Sequence, residues 1–303
     1  MKVSRSRREF FGLSLAAAGC GVLAPPAAAV EPFQRGGTPR LKLSLAAYSF
    51  RDEFQPKKDA PVTMDMFKFV DYCAEHDCDG AELTSYYFPD HVTDEYLAQV
   101  RRHAHLRGVS VSGTAVGNDF CHPPGPQRQE QQALVADWIR KAAILGAPHI
   151  RVFAGGPHQQ TKEEAKKLCI AAMEEAAAAA GRQGIFLGIE NHGGIVAEAD
   201  DLLDIVRAVN SPWVGINLDT GNFRTDDPYG DLAKCAPYAV NVQFKGRISR
   251  RGQKGAEPAD FPRTFQILRD ANYQGWVALE FEFEEDPRVR VPTLLKEMRA
   301  QMG

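Results

Sequence analysis

Residues 185–222 read IFLGIENHGGIVAEADDLLDIVRAVNSPWVGINLDTGN, and this stretch decides the fold. Ile185–Glu190 is a short apolar run that ends on a carboxylate, Ala199–Val209 repeats its apolar residues at helical spacing, and Val214–Leu218 is a second apolar run followed by Asp219. Strand, amphipathic helix, strand is a crossover unit, and a helix of this length sets the two strands parallel. The same alternation extends outward in both directions from Leu41 on. Six more strands are predicted, at Lys42–Tyr48, Gly80–Thr84, Val109–Ala115, His149–Phe153, Ala239–Phe244 and Trp276–Phe281. Helices are predicted at Met64–His76, Asp94–Arg107, Gln127–Leu145, Lys162–Arg182, Gly230–Ala236, Pro262–Asp270 and Arg288–Met298. The clearest is Lys162–Arg182, with an Ala-rich centre from Ala171 to Ala180, a capping-box pattern of Thr161 and Glu164 at its start, and Gly181 and Gly184 at its end.

Eight such units in about 260 residues is the arithmetic of a (β/α)8 TIM barrel. No Pro- or Ser-rich linker divides them, so we read 41–303 as one α/β barrel domain and 30–40 as a linker before it. A doubly wound open sheet is the runner-up. A dinucleotide-binding sheet of that kind carries GxGxxG after its first strand, whereas this chain continues into Tyr48-Ser49-Phe50-Arg51.

The first 29 residues carry a different signal. Ser6-Arg7-Arg8-Glu9-Phe10-Phe11 is a twin-arginine motif, Leu13–Leu23 is a short apolar run, and Pro25-Pro26-Ala27-Ala28-Ala29 offers a cleavage site after Ala29. Eleven residues are too few for a spanning helix, which needs about 20. A lipoprotein reading through Ala17-Ala18-Gly19-Cys20 lacks the large aliphatic residue expected three positions before the cysteine. The expectation is export to the periplasm, with the membrane involved only through the signal. Beyond residue 29 the chain has 32 basic and 38 acidic side chains, a net charge of −6 that argues against nucleic acid as a partner. Its five cysteines, Cys73, Cys78, Cys121, Cys169 and Cys235, are odd in number with no CxxC pair, and read as small buried hydrophobes.

In a barrel the active site lies where the strands end. Glu82, Arg151, Glu190, Asp219, Lys245 and Glu280 all lie at or near the ends of predicted strands. The carboxylates of Glu190, Asp219 and Glu280 cannot all face the ring of helices without heavy desolvation, so they are expected to converge on the barrel axis. Converging carboxylates repel unless a cation neutralises them, and a divalent metal is the economical answer. Salt bridges to loop lysines or arginines are the plainer alternative. Glu282 and Glu284 alternate with Phe281 and Phe283, so at least one of those two is expected to be solvated.

Ile189-Glu190-Asn191-His192, Leu218-Asp219-Thr220-Gly221-Asn222, Val242-Gln243-Phe244-Lys245 and Ala278-Leu279-Glu280 together resemble the strand ends of the sugar phosphate isomerase/epimerase superfamily, the xylose isomerase-like TIM barrels. The resemblance runs over about residues 41–300. It implies metal ligands at Glu190, Asp219, Gln243 and Glu280, with Glu190 and Glu280 as the acid/base pair. Many members have His where this chain has Gln243, and the last histidine here is His192. An all-oxygen set favours Mn or Mg over Zn. His192, Glu82, Arg151, Lys245 and Asn222 are the candidate substrate contacts, and Tyr48, Phe50, Tyr86, Tyr87 and Phe153 are aromatics for a pocket wall or for plain packing.

The implied reaction is proton transfer next to a carbonyl, giving a sugar isomerase or epimerase. A dehydratase or lyase follows if a β-leaving group departs instead. Export points to a free sugar, cyclitol or keto-glycoside as the small-molecule substrate, because phosphorylated sugars stay inside cells. A non-catalytic carbohydrate-binding barrel is the reading from another class, with Gln243 as its sign. An endonuclease IV-like nuclease would need a basic face and a histidine-rich zinc site. Whether the chain forms a homo-oligomer stays open.

Overall fold

The computed structural model describes residues 30–57 and 60–302, so the twin-arginine segment and Cys20 lie outside the described residues. Eight parallel strands close into a barrel: β1 (Arg40–Ala46), β2 (Gly80–Thr84), β3 (Ser110–Ala115), β4 (His149–Val152), β5 (Phe186–Glu190), β6 (Val214–Asp219), β7 (Ala239–Phe244) and β8 (Gln274–Leu279), which pairs back onto β1. A helix follows each strand: α1 (Met66–Glu75), α2 (Asp94–Leu106), α3 (Pro126–Leu145), α4 (Lys162–Arg182), α5 (Ala199–Ala208), α6 (Pro228–Cys235), α7 (Phe261–Asp270) and α8 (Pro287–Met302). A two-residue ribbon, Arg247–Ile248 against Glu257–Pro258, decorates the loop after β7. Among the described residues no helix is long and apolar enough to cross a membrane.

The capping box at the start of α4 is present in both halves: the Thr161 hydroxyl accepts from the Glu164 N–H while the Glu164 carboxylate accepts from the Thr161 N–H. The strands at the closure run two residues earlier than their hydrophobicity predicts. Arg40 pairs with Gln274 and the ladder continues to Leu45 and Leu279, and the chain then leaves β1 through a 3₁₀ turn over Ala47–Phe50. Barrel closure sets that register, and local hydrophobicity does not encode it.

Side chains alternate across the barrel wall. Leu187, Ile189, Ile216, Leu218, Val242, Phe244, Val277 and Leu279 are buried and alternate with the inward-facing polar residues. The barrel interior departs from the usual layers of branched aliphatics. Ser44, Glu82, Ser112, His149, Arg151, Glu190, Asn217, Asp219, Asn241 and Gln243 are all buried there. Gly113 on β3 makes room for one of them, because a Cβ at that position would overlap the His149 imidazole. The segment from Val30 to Gly36 crosses the opposite end of the barrel: Phe33 donates its N–H to the Pro237 carbonyl at 3.1 Å and packs edge-on against Phe186, and Asn272 donates to the Arg35 carbonyl at 2.6 Å. Cys73, Cys78, Cys121, Cys169 and Cys235 are free thiols, all buried.

Candidate active site

Glu190 closes β5, Asp219 closes β6, and Glu280 is the first residue beyond β8. Their exposures are 3%, 0% and 5%, so three carboxyls are sealed at one end of the axis. Glu190 is held at both oxygens, Oε2 lying 3.0 Å from Arg151 Nε and Oε1 accepting from Asn222 Nδ2 at 2.8 Å. Asn191 clamps the neighbouring strand, donating to the Asp219 carbonyl and accepting from the Asp219 N–H, each at 2.9 Å. Asp219 Oδ1 accepts from the Gly221 N–H at 2.8 Å, whereas Oδ2 is buried without a hydrogen bond. Lys245 Nζ stands among the carboxylates, 3.3 Å from Asp219 Oδ2, 3.6 Å from Glu280 Oε2 and in contact with Glu282.

These charges do not balance. Among the described residues, the ion pairs of Glu190, Asp219, Glu280 and Glu282 are with Arg151 and Lys245, an excess of two negative charges when all are ionised. Burial therefore dominates the titration. It pushes Glu190 up to about 7 against the pull of Arg151, and it raises Asp219 and Glu280 against the pull of Lys245. Burial works against the Lys245 and Arg151 cations too, but the surrounding carboxylates outweigh it and raise both. An excess of two negative charges beside a buried Asp219 oxygen that has Lys245 near it but no hydrogen bond is what a divalent cation would neutralise, so the residues fit one.

Gln243 sits at the same register as Asp219 but its amide is committed downward. Its Nε2 donates to Glu82 Oε1 at 2.7 Å and its Oε1 accepts from Asn217 Nδ2 at 2.6 Å. Asn241 Nδ2 bonds both Glu82 Oε2 and Asn217 Oδ1 at 2.8 Å, and His149 Nε2 lies 3.7 Å from Glu82. Glu82 is thus fully enclosed beneath the carboxylates, where it supports Gln243 and does not face the opening. Gln243 has one lone pair of its oxygen left to offer upward.

The remaining predicted contacts sit higher. His192 stands on the rim with its ring against Phe153 at 4.6 Å, and partial burial with the charges of Arg151 and Lys245 lowers its pKa, leaving the imidazole neutral at pH 7. Arg151 also lies over the Phe153 ring and donates to the Tyr86 hydroxyl at 3.1 Å. Phe50 is core, and Tyr87 stacks on Phe54. Glu282 joins Lys245 while Glu284 is exposed. One cleft of about 420 Å³ opens beside His192 and Asn222, and another of about 500 Å³ beside Glu282. Sequence reading missed Asn217, Asn241 and His149. Each stands two residues before a predicted site residue on the same strand, so the two-residue strand period was the signal that points them inward.

Residues 70–300 match the family described as xylose isomerase-like TIM barrel. A putative hydroxypyruvate isomerase of Homo sapiens is 24% identical over 231 residues, covering 67% of this chain and 80% of that protein. A D-psicose 3-epimerase crystallised in the presence of D-fructose superposes with a TM-score of 0.68 at 17% identity, covering 86% of this chain and 96% of the other. An IOLI protein with a binding zinc atom superposes with a TM-score of 0.67, again at 17% identity and with the same coverage. The structural likenesses establish the shared barrel.

Proposed function

The chain belongs to the xylose isomerase-like TIM barrel family, and we propose that it is a metal-dependent sugar isomerase or epimerase that moves a proton on the carbon next to a carbonyl. The observation that carries this reading is the sealed set of Glu190, Asp219 and Glu280, which holds more negative charge than Arg151 and Lys245 neutralise. In this reading Glu190, Asp219 and Glu280 hold a divalent cation, Mn or Mg before Zn, with Gln243 as a neutral fourth donor. Such a cation, when bound, supplies the positive charge that makes a carbon beside a carbonyl acidic enough for a carboxylate to deprotonate.

The chain's own residues do the rest. Arg151 and Asn222 fix both oxygens of Glu190, so its carboxylate is aimed before substrate arrives. A carboxyl brought up to about 7 is divided between its acid and base forms at neutral pH, the condition for a group that takes a proton in one step and returns one in another. Glu280 feels the charges of Asp219 and Glu282 across the opening and acts as the partner group. Lys245 is a second fixed positive charge toward developing negative charge on substrate oxygen. Neutral His192 is a hydrogen-bond partner for a sugar hydroxyl at the rim. The twin-arginine sequence makes a free sugar, cyclitol or keto-glycoside the substrate class.

Incubating metal-replete protein with free ketoses and keto-glycosides in deuterated water tests this. Deuterium is expected at the carbon beside the carbonyl, and Glu190→Gln and Glu280→Gln are each expected to slow exchange by roughly 10²–10⁴-fold. Full exchange in both variants would remove these residues from the chemistry. No exchange with any keto sugar would leave a carbohydrate-binding barrel, and loss of a β-substituent without exchange back would make it a lyase.

A further inference from the structure

Where β3 and β4 run out into their loops, three ligating side chains meet that have no part in the proton transfer above: Asp119, His122 and His158. One ligand atom from each lies within 4.8 Å of the other two. Asp119 Oδ2 is 3.0 Å from His158 Nε2, and the His122 and His158 rings stack with centroids 4.5 Å apart at 16°. We propose that this cluster is a second metal site, taking a borderline first-row cation with Zn foremost, and that it differs in hardness from the all-oxygen set on the axis.

The donor chemistry is the first argument. Two imidazoles and one carboxylate suit Zn and its neighbours Co and Ni, whereas carboxylate and amide oxygens suit Mn and Mg. A hydrogen-bonded Asp–His pair needs one imidazole only, and His122 brings a second nitrogen within 4.8 Å of the other two ligand atoms, near enough for a side-chain rotation to complete the set. In a tetrahedral site with bonds of about 2.0–2.1 Å the donors stand roughly 3.3 Å apart, close to the spacing of the Asp119–His158 pair.

The second argument is how the carboxylate is held. The Asp119 N–H donates to Gln131 Oε1 at 2.9 Å, and Oδ1 accepts from the Cys121 N–H at 2.8 Å, while Oδ2 meets His158 Nε2 at 3.0 Å and accepts a long bond from the Gly156 N–H at 3.5 Å. Such outer bonds orient metal ligands. The loop after β4 closes over this carboxylate only because residue 155 is glycine, at φ +101°, where a Cβ would overlap Asp119. His158 itself is left-handed at φ +50°, which for a residue other than glycine is uncommon. Asp119 is 26% and His158 39% exposed at the side chain, so a bound cation would keep positions open to solvent or to a ligand. The Gly155 carbonyl abuts Gly194, in the loop that carries His192, and this sets the cluster against the rim of the barrel opening.

The test titrates the chelator-stripped full chain with Zn²⁺ by calorimetry, counts bound metal by mass spectrometry, and repeats with Co²⁺ read by its visible absorption. The axial variant Glu190→Gln/Asp219→Asn/Glu280→Gln is expected to keep one equivalent of Zn²⁺. His122→Ala/His158→Ala is expected to lose that equivalent and its cobalt bands while Mn²⁺ uptake is unchanged. If the axial variant does not fold, the comparison of wild type with the histidine variant gives the same answer, because His158 is exposed and His122 only half-buried, both on loops outside the barrel core. Equal Zn²⁺ uptake and equal cobalt spectra in wild type and His122→Ala/His158→Ala would overturn the proposal. Failure of Mn²⁺ to bind wild type would count against the axial site alone.

Discussion

The barrel interior holds two polar layers, one on β2, β6 and β7 and the other above it at the ends of β5, β6 and β8, and they are built on different terms. In the lower layer Glu82, Asn217, Asn241 and Gln243 bond one another and the Glu82 carboxylate has a donor for each oxygen, while Asn241 Oδ1 and both ring nitrogens of the neighbouring His149 make no hydrogen bond. In the upper layer Glu190, Asp219, Glu280 and Glu282 share two cations, and Asp219 Oδ2 has no hydrogen bond. A buried carboxylate with a donor for each oxygen behaves as structure, whereas a group of carboxylates left short of positive partners is poised to take a ligand. The lower layer is therefore expected to contribute to stability and the upper one to be held at its expense.

The sharpest way to break this contrast is to exchange the outcomes. Glu82→Ala strips the acceptor from both Asn241 and Gln243 in a fully enclosed space, and is expected to cost about 3–5 kcal/mol in denaturant unfolding. Glu190→Gln in metal-stripped protein removes a charge from a layer that has too many. It keeps an oxygen for Asn222 and is expected to leave stability unchanged or raised at pH 8. If Glu190→Gln proves as damaging as Glu82→Ala, the two layers do not differ in kind.

A smaller effect comes from pH. Glu190 rises from its ordinary value of 4.5 to about 7, so between those values the native state binds more protons than the unfolded chain. Stability must then fall as pH rises through that window, by about 3 kcal/mol for this group alone, and Asp219 and Glu280 act in the same direction. A cation takes the place of the protons, so added metal should stabilise more at pH 8 than at pH 5. Melting of metal-stripped wild type and Glu190→Gln from pH 5 to 8 checks this, with a shallower slope expected in the variant; equal slopes would mean that Glu190 titrates normally.

The same contrast explains what could be read from the sequence. The barrel was legible because each strand is a short apolar run and each helix carries its own signals, as with Thr161 and Glu164 at the start of α4. β1 and β8 shifted by two residues because Arg40 and Gln274 are polar and become strand only when the barrel closes. The upper layer announces itself through charge at the end of an apolar run: Glu190, Asp219 and Glu280 each interrupt hydrophobicity. In the lower layer only Glu82 carries such a mark, and it reads as a substrate contact; Asn217, Asn241 and His149 are neutral or weakly basic residues inside strands. Asp119, His122 and His158 were invisible for another reason, namely that they lie on two loops which only the packing of β3 beside β4 brings together.

Gln243 belongs to both layers, which makes Gln243→His the finest probe of the boundary between them. The amide now serves Glu82 with its N–H and Asn217 with its oxygen. An imidazole has two ring nitrogens, so one N–H can still reach Glu82 while the other nitrogen turns to the axis, but Asn217 Nδ2 then loses its acceptor. The metal-free variant is expected to be about 1–2 kcal/mol less stable, the cost of one buried donor left unpaired. With metal the sign reverses, because imidazole is the better ligand for Zn and Co, and the Zn-to-Mn affinity ratio at the axis is expected to rise at least about tenfold. That ratio is best read in a His122→Ala/His158→Ala background, where the rim cluster cannot supply the zinc. An unchanged ratio in Gln243→His, together with unchanged metal content in Asp219→Ala, would show that no cation sits among these carboxylates, and Lys245 would then be the positive charge on which any proton transfer at this site depends.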